Sequence, residues 1–282
     1  MNTTLCDIEL EHPIINASGT FDAIAALRTF GDAVIERFPF SAFVSKTITV
    51  EPRQGNPPPR LWETPAGLIN SIGLPNKGLS GYLEHDLPVL ARQPVPLIVN
   101  VMGFTRDEVA GLELNVSCPN VESGLIMGAD PRETAALLER VRPLTAKPLI
   151  VKLTPNATDP GAVARAAEAA GADAVSLVNT LRGMALHPRT GEPWLGGRTG
   201  GVSGPAVRAI ALAQVADVAS RIEIPVVGMG GVESGGDAHD LLAAGATAVA
   251  VGTASFRDPA AGSRIWQELT ELLRKERVSE PV

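Results

Sequence analysis

The sequence is short of several things, and each shortage excludes something. It has two cysteines, Cys6 and Cys118, in 282 residues. That is no disulfide framework, and it fits a reducing cytosol. Two isolated thiols and four scattered histidines offer no zinc-ligand spacing, so no metal is expected. Aromatic residues make up 4% of the chain and the net charge is −7. An acidic, aromatic-poor chain presents no basic face to nucleic acid or anionic lipid. No apolar run reaches the roughly 18 residues that span a bilayer. The opening stretch MNTTLCDIELEHP carries acids and no basic apolar leader, so it does not read as a signal peptide, and a cytoplasmic protein is expected. The 28 glycines and 23 prolines follow no short period, which excludes collagen and argues for many tight connections.

What is present is a hydrophobic fraction of 45%, enough for a full core in a single domain over residues 1–282. Short β-branched runs alternate with Ala/Leu-rich helical stretches. Candidate strands are Ala42–Lys46, Gly67–Asn70, Leu97–Val101, Leu112–Ser117, Leu149–Leu153, Ala174–Asn179, Pro225–Met229 and Ala248–Gly252. Most are continuous apolar runs, as parallel strands covered on both faces are. Helices are expected over Pro131–Val141, Pro160–Ala170, Pro205–Arg221 and Asp237–Ala244, with Pro near their starts or Gly past their ends. Eight such strands with helical connections predict a parallel (β/α)8 TIM barrel.

Two stretches break the pattern. Residues 50–66 hold five prolines and no periodicity, and residues 180–204 are Gly-rich. Long loops in a compact domain are usually functional, and both are expected over the C-terminal end of the barrel. A third stretch, 102–111, is too short for a right-handed parallel crossover with its helix. Either the barrel has lost a helix there or the sequence omits residues. Omission is favoured, because a lost helix would bare an apolar strand face.

In a parallel barrel the reactive groups stand at the C-terminal ends of the strands. Those positions hold Lys46, Thr47, Asn70, Asn100, Asn115, Ser117, Cys118, Asn120, Lys152, Asn179, Thr180, Gly230, Gly231, Gly252 and Thr253. One asparagine there would be a turn residue; the whole series is too polar for a stability face. The bare backbones of GMGG (228–231) and VGTA (251–254) suit a phosphate. Lys152 ends an otherwise apolar strand and needs an anionic or electron-rich partner, which the pyrimidine edge of a reduced flavin would supply. Cys118, in NVSCPN, stands between amides and just before a strand-stopping proline. Covalent attack and proton transfer are both open to such a thiol. No histidine accompanies it, which favours proton transfer. Cys6 has no such neighbours and is given no role.

NVSCPN, with NASGTFD (16–22), SKTITVEPRQGNPPPR (45–60), NSIGLPN (70–76), VKLTPN (151–156), VNTLRGM (178–184), RTGGVSGPA (198–206) and GMGGVESGGDA, resembles class 1 dihydroorotate dehydrogenase over almost the whole chain. The resemblance implies an FMN-containing TIM barrel that oxidises dihydroorotate to orotate in pyrimidine biosynthesis. Carried over position by position, it makes Cys118 the catalytic base and gives Lys46 a catalytic place at flavin and substrate. Asn70, Ser71, Ile72, Gly73, Leu74, Asn115, Asn120, Asn179 and Thr180 would surround the substrate. Ser18, Lys46, Thr47, Asn100, Asn115, Lys152, Val178, Gly204, Gly230, Gly231, Gly252 and Thr253 would hold FMN. EPRQGNPPPR and GTASFRDP resemble class 1B, in which a second subunit bearing FAD and a 2Fe-2S cluster passes electrons to NAD. The fumarate-using class 1A is the alternative, and a homodimer is expected.

Two other functions compete. A dihydropyrimidine dehydrogenase resembles this chain but has His where Asn120 stands. A flavin-free, phosphate-binding isomerase or aldolase would use GMGG and VGTA but leave the Cys118 cluster idle.

Overall fold

The computed structural model describes residues 2–102, 111–116 and 128–279. Eight short parallel strands form its centre: β1 (Ile14–Asn16), β2 (Phe43–Val44), β3 (Leu97–Met102), β4 (Gly111–Asn115), β5 (Leu149–Lys152), β6 (Ala174–Leu177), β7 (Val226–Met229) and β8 (Ala248–Val251). They pair in the spatial order β1-β8-β7-β6-β5-β4-β3-β2. The ring closes between β1 and β2 through two bonds of the Asn16 side chain and one backbone bond just before β2. Asn16 donates Nδ2 to the Val44 carbonyl and accepts the Val44 N–H on Oδ1, both at 2.8 Å. The Ser41 N–H reaches the Ile14 carbonyl at 3.0 Å. An amide side chain thus completes the ladder where the backbone does not.

Alternation along each strand divides the core in two. Outward residues, among them Val99, Val101, Leu112, Leu114, Val151, Val175, Leu177, Val249 and Val251, pack under the helices. Inward ones, Ile15, Val44, Ile98, Ile150, Ala174, Val227 and Ala248, fill the lower interior with Leu5, Ile8 and Leu10. These last three belong to an antiparallel hairpin, Thr3–Leu5 with Ile8–Leu10, that plugs the N-terminal end.

The helices start where cap residues stand. Asp130 accepts the Arg132 N–H ahead of Pro131–Val141, and Asp159 accepts the Ala162 N–H ahead of Pro160–Ala169. Ser234 and Asp237 form a reciprocal capping box on Gly235–Ala243.

Two strand expectations need correction. Gly67–Asn70 is not a barrel strand. It belongs to a four-stranded antiparallel sheet, in the order 181–183, 200–203, 67–70, 61–64. Its residues alternate between buried and half-buried, as in a sheet with one covered face, whereas β4–β8 are buried throughout. The barrel strand it displaces is β1, which is three residues long and shows no run. The sheet joins both irregular stretches over the C-terminal end. Gly67 lets it form: its φ is +143°, and a Cβ there would stand 1.9 Å from the Ser203 carbonyl oxygen.

The short connection lies at 103–110, outside the described residues. Its ends are fixed. Ile98 pairs with Gly111, so the chain returns almost a full strand length between Met102 and Gly111.

Candidate active site

A cavity of about 370 Å³ opens between the C-terminal strand ends and the overlying sheet. Ser18, Lys46, Thr47, Asn70, Ile72, Gly73, Leu74, Asn115, Lys152, Val178, Asn179, Thr180, Gly204, Gly230, Gly231, Gly252 and Thr253 line it, all expected from the sequence. Ser71 does not. It is fully buried, accepts Asn56 Nδ2 at 2.9 Å and fastens the overlying loop. Asn100 is buried one layer below, beside Glu113. Cys118 and Asn120 lie outside the described residues.

The lining side chains are held by their neighbours. Asn115 Nδ2 donates to Thr47 Oγ1 at 3.0 Å, tying β4 to the segment after β2. Asn70 Nδ2 reaches the Gly201 carbonyl at 3.2 Å, inside the overlying sheet. Ser18 Oγ donates to the Ser45 carbonyl at 2.8 Å. Asn179 Oδ1 accepts the Thr180 N–H at 2.8 Å, and Asn156 Nδ2 holds the Thr180 carbonyl at 3.1 Å. Lys46 has its pKa lowered by desolvation, with Asp22 opposing and Arg60 adding to the shift. A lysine so placed favours a ligand that brings its own negative charge.

Sequence reasoning missed several lining residues, including Leu61, Leu68, Val202, Met229 and Phe256. Leu61 and Phe256 are half exposed, at 51% and 57%, and form an apolar rim. Leu61, Leu68 and Val202 come from the overlying sheet and Phe256 from the short helix Ala254–Arg257, where no strand-end rule applies, and Met229 ends β7 but is apolar.

The residues present fit FMN on three counts. Lys152 and Asn115 provide a cationic and an amide group at the floor. Asn100 Oδ1 is a buried acceptor with no hydrogen-bond partner among the described residues. Gly230, Gly231 and Gly252 leave bare backbone at the ends of β7 and β8, and at Gly231 the φ of +73° itself calls for glycine.

The dihydroorotate dehydrogenase family model matches residues 1–273. The dihydroorotate dehydrogenase B (NAD(+)) catalytic subunit of Citrifermentans bemidjiense is 42% identical over 287 residues, 97% of this chain and 93% of its own. That of Pelobacter propionicus is 43% identical over 294 residues, 99% of this chain and 95% of its own. The chain belongs to the dihydroorotate dehydrogenase family. It is therefore an oxidoreductase, of a family that oxidises dihydroorotate in pyrimidine biosynthesis. The Bacillus pumilus catalytic subunit is 42% identical over 287 residues, 97% of this chain and 91% of its own. A crystal structure of the Eimeria tenella dihydroorotate dehydrogenase in complex with ferulenol superposes with a TM-score of 0.79 at 23% identity. It covers 98% of this chain and 85% of that one, confirming the barrel. No helix among the described residues is long and apolar enough to cross a membrane.

Proposed function

We propose that this chain is the FMN-bearing catalytic subunit of an NAD-linked dihydroorotate dehydrogenase. The observation that carries the reading is one cavity shared by Lys46, Asn70, Asn115, Lys152, Asn179 and Thr180 with the bare strand ends at 230–231 and 252–253. Amides and a hydroxyl can pair with the several carbonyl and N–H groups of a flat pyrimidine. The substrate carboxylate finds a cation in Lys46. Oxidation to orotate removes a proton from C5 and a hydride from C6. FMN, when bound, supplies the two-electron acceptor for that hydride.

The chain's own residues do the rest. Asn115 and Asn179, with Asn120, orient the ring so that C6 faces the cofactor. Lys152, at the cavity floor, would favour the electron-rich state of a bound flavin. Cys118, as thiolate, takes the C5 proton and becomes the thiol. An ordinary thiol titrates near 8.5, so only a few per cent is thiolate at neutral pH. Flavin reduction should therefore accelerate as pH rises through the thiol pKa. Electrons would leave through a second subunit with FAD and a 2Fe-2S cluster, since the two cysteines of this chain fall short of the four such a cluster takes. A cytoplasmic homodimer of such pairs is the assembly we expect.

The test is spectroscopic. The purified chain should be yellow, release FMN on denaturation and bleach with dihydroorotate. The isolated chain should reduce artificial dyes but NAD only slowly. A colourless protein that takes up no FMN, or rapid NAD reduction by the single chain, would defeat these respective parts.

A further inference from the structure

The barrel interior changes character abruptly beneath the cavity. Below, Ile15, Val44 and Ile98 belong to an apolar filling with Leu5, Ile8 and Leu10. One layer up stands Glu113, 4% exposed, two residues before Asn115 on the same face of β4. In register it lies opposite Asn100 on β3 and Ile150 on β5, while Asn115 lies opposite Lys152. Glu113 Oε1 accepts Ser176 Oγ at 2.6 Å. Its Oε2 accepts Asn100 Nδ2 and stands 3.9 Å from Lys152 Nζ.

A buried carboxylate costs several kcal/mol in desolvation, and a buried ion pair is on average no better for stability than apolar side chains of the same volume. Stability alone therefore does not explain an acid at this level. Its partners do. Lys152 lines the cavity above, and Asn100, with its amide nitrogen occupied by Glu113, is left with a free carbonyl oxygen among the described residues. Two hydrogen bonds, from different strands, fix where the carboxylate is, and the carboxylate in turn fixes the ammonium.

We infer that Glu113 is a positioning residue for the cofactor: it holds the Lys152 ammonium at the cavity floor and sets how much positive charge a bound flavin feels. The inference rests on the flavin reading above. Removing the carboxylate would leave the lysine charge unbalanced at the cavity floor, which would favour the electron-rich, reduced form of a bound flavin.

The experiment uses purified wild type, Glu113→Gln and Glu113→Asp, each loaded with FMN and equilibrated with a reference redox dye. Glu113→Gln should raise the reduced-to-oxidised flavin ratio about tenfold at a fixed dye potential, about 30 mV for a two-electron couple. Glu113→Asp keeps the charge but withdraws it by one methylene, and should move the ratio in the same direction by less. FMN titration of each apoprotein, with oxidised and with reduced cofactor, gives an independent readout, with reduced FMN expected to bind more tightly relative to oxidised FMN in the Gln variant. A merely structural glutamate would lower the melting temperature and leave the dye equilibrium where it was, and that result overturns the inference. If Glu113→Gln does not fold, Glu113→Asp decides alone, and an unchanged ratio is again fatal. A wild type that binds no FMN overturns the flavin reading, and this inference with it. A wild type that binds FMN, beside variants with unmoved ratios, overturns the inference alone.

Discussion

At the N-terminal end of the barrel, Leu5, Ile8 and Leu10 close the interior against Ile15, Val44 and Ile98, and Cys6 packs beside them. Cys6 donates to the Asp173 carbonyl at 3.3 Å, and burial, with Asp173 and Asp7 adding, pushes its pKa up to about 12. At the other end β4 and β5 finish in Asn115 and Lys152, Thr47 follows β2, and a cavity takes the place of the plug. One sheet thus supports opposite economies of polarity. The closed end excludes water and charge, and residues there serve stability. The open end keeps polar groups that cost stability, each tied to a neighbour and available to a ligand. Cys6 belongs to the closed end, and the function proposed above assigns Cys118 to the open one, so the two thiols probe the contrast.

The largest expected effect is at the open end. Cys118→Ala should slow flavin reduction by dihydroorotate by about 10²–10⁴, the usual contribution of a general base. FMN should stay bound and orotate affinity should be nearly intact. Cys6→Ser should leave the same stopped-flow rate within about twofold. Equal rates for wild type and Cys118→Ala across pH would remove Cys118 from the chemistry and erase the contrast between the thiols.

The closed end should respond in stability instead. Leu10, 1% exposed, fills the plug. Leu10→Ala removes its packing and leaves a cavity, costing about 2–5 kcal/mol. At about 2–4 °C per kcal/mol for a chain of 150–250 residues, and less for a longer one, several degrees of melting temperature should be lost. FMN affinity and the turnover of the folded protein should hold within about twofold. A large loss of turnover at a temperature where the variant is folded would show that the two ends are coupled.

How legible each end was in the sequence follows from local signals. Strands Leu97–Met102, Leu149–Lys152 and Ala248–Val251 are apolar runs that both cores require, and they are visible as such. The helix Pro131–Val141 announces itself through Asp130 at its cap and Pro131 in its first turn. β1 does not, because three residues carry no period and its closing bonds come from the Asn16 side chain. GLIN at 67–70 is as apolar as a barrel strand, and only its antiparallel pairing with 61–64 and, far along the chain, with 200–203 puts it in the overlying sheet. Leu61 and Val202 escape notice for the same reason, and Phe256 because it stands in the short helix Ala254–Arg257. Glu113 did carry a signal: an acid inside LELNVS, on the face of Asn115, in a strand otherwise buried on both sides.

The smallest effect tests whether the closed end excludes charge as well as water. His12 stands just before β1, stacked on Trp266 with ring centroids 4.9 Å apart and accepting the Ile14 N–H on Nδ1 at 3.3 Å. Desolvation, with the N-terminal charge adding, lowers its pKa from 6.5 to about 4. The folded protein therefore keeps the ring neutral where an unfolded chain protonates it. Between pH 6.5 and 4 the unfolded state binds more protons, so stability falls as pH falls across that window and is fully present above it. A displacement of this size, discounted because the ring is partly exposed, corresponds to about 2 kcal/mol. His12→Asn retains an acceptor for the Ile14 N–H and removes the titration. Denaturant melts at pH 7 and pH 4.5 should then show wild type losing more stability than the variant, by about 1–2 kcal/mol. Subtracting the two pH dependences cancels the carboxylates common to both proteins, so an equal loss in each would mean that His12 accepts its proton in the folded state and that this end of the barrel tolerates charge after all.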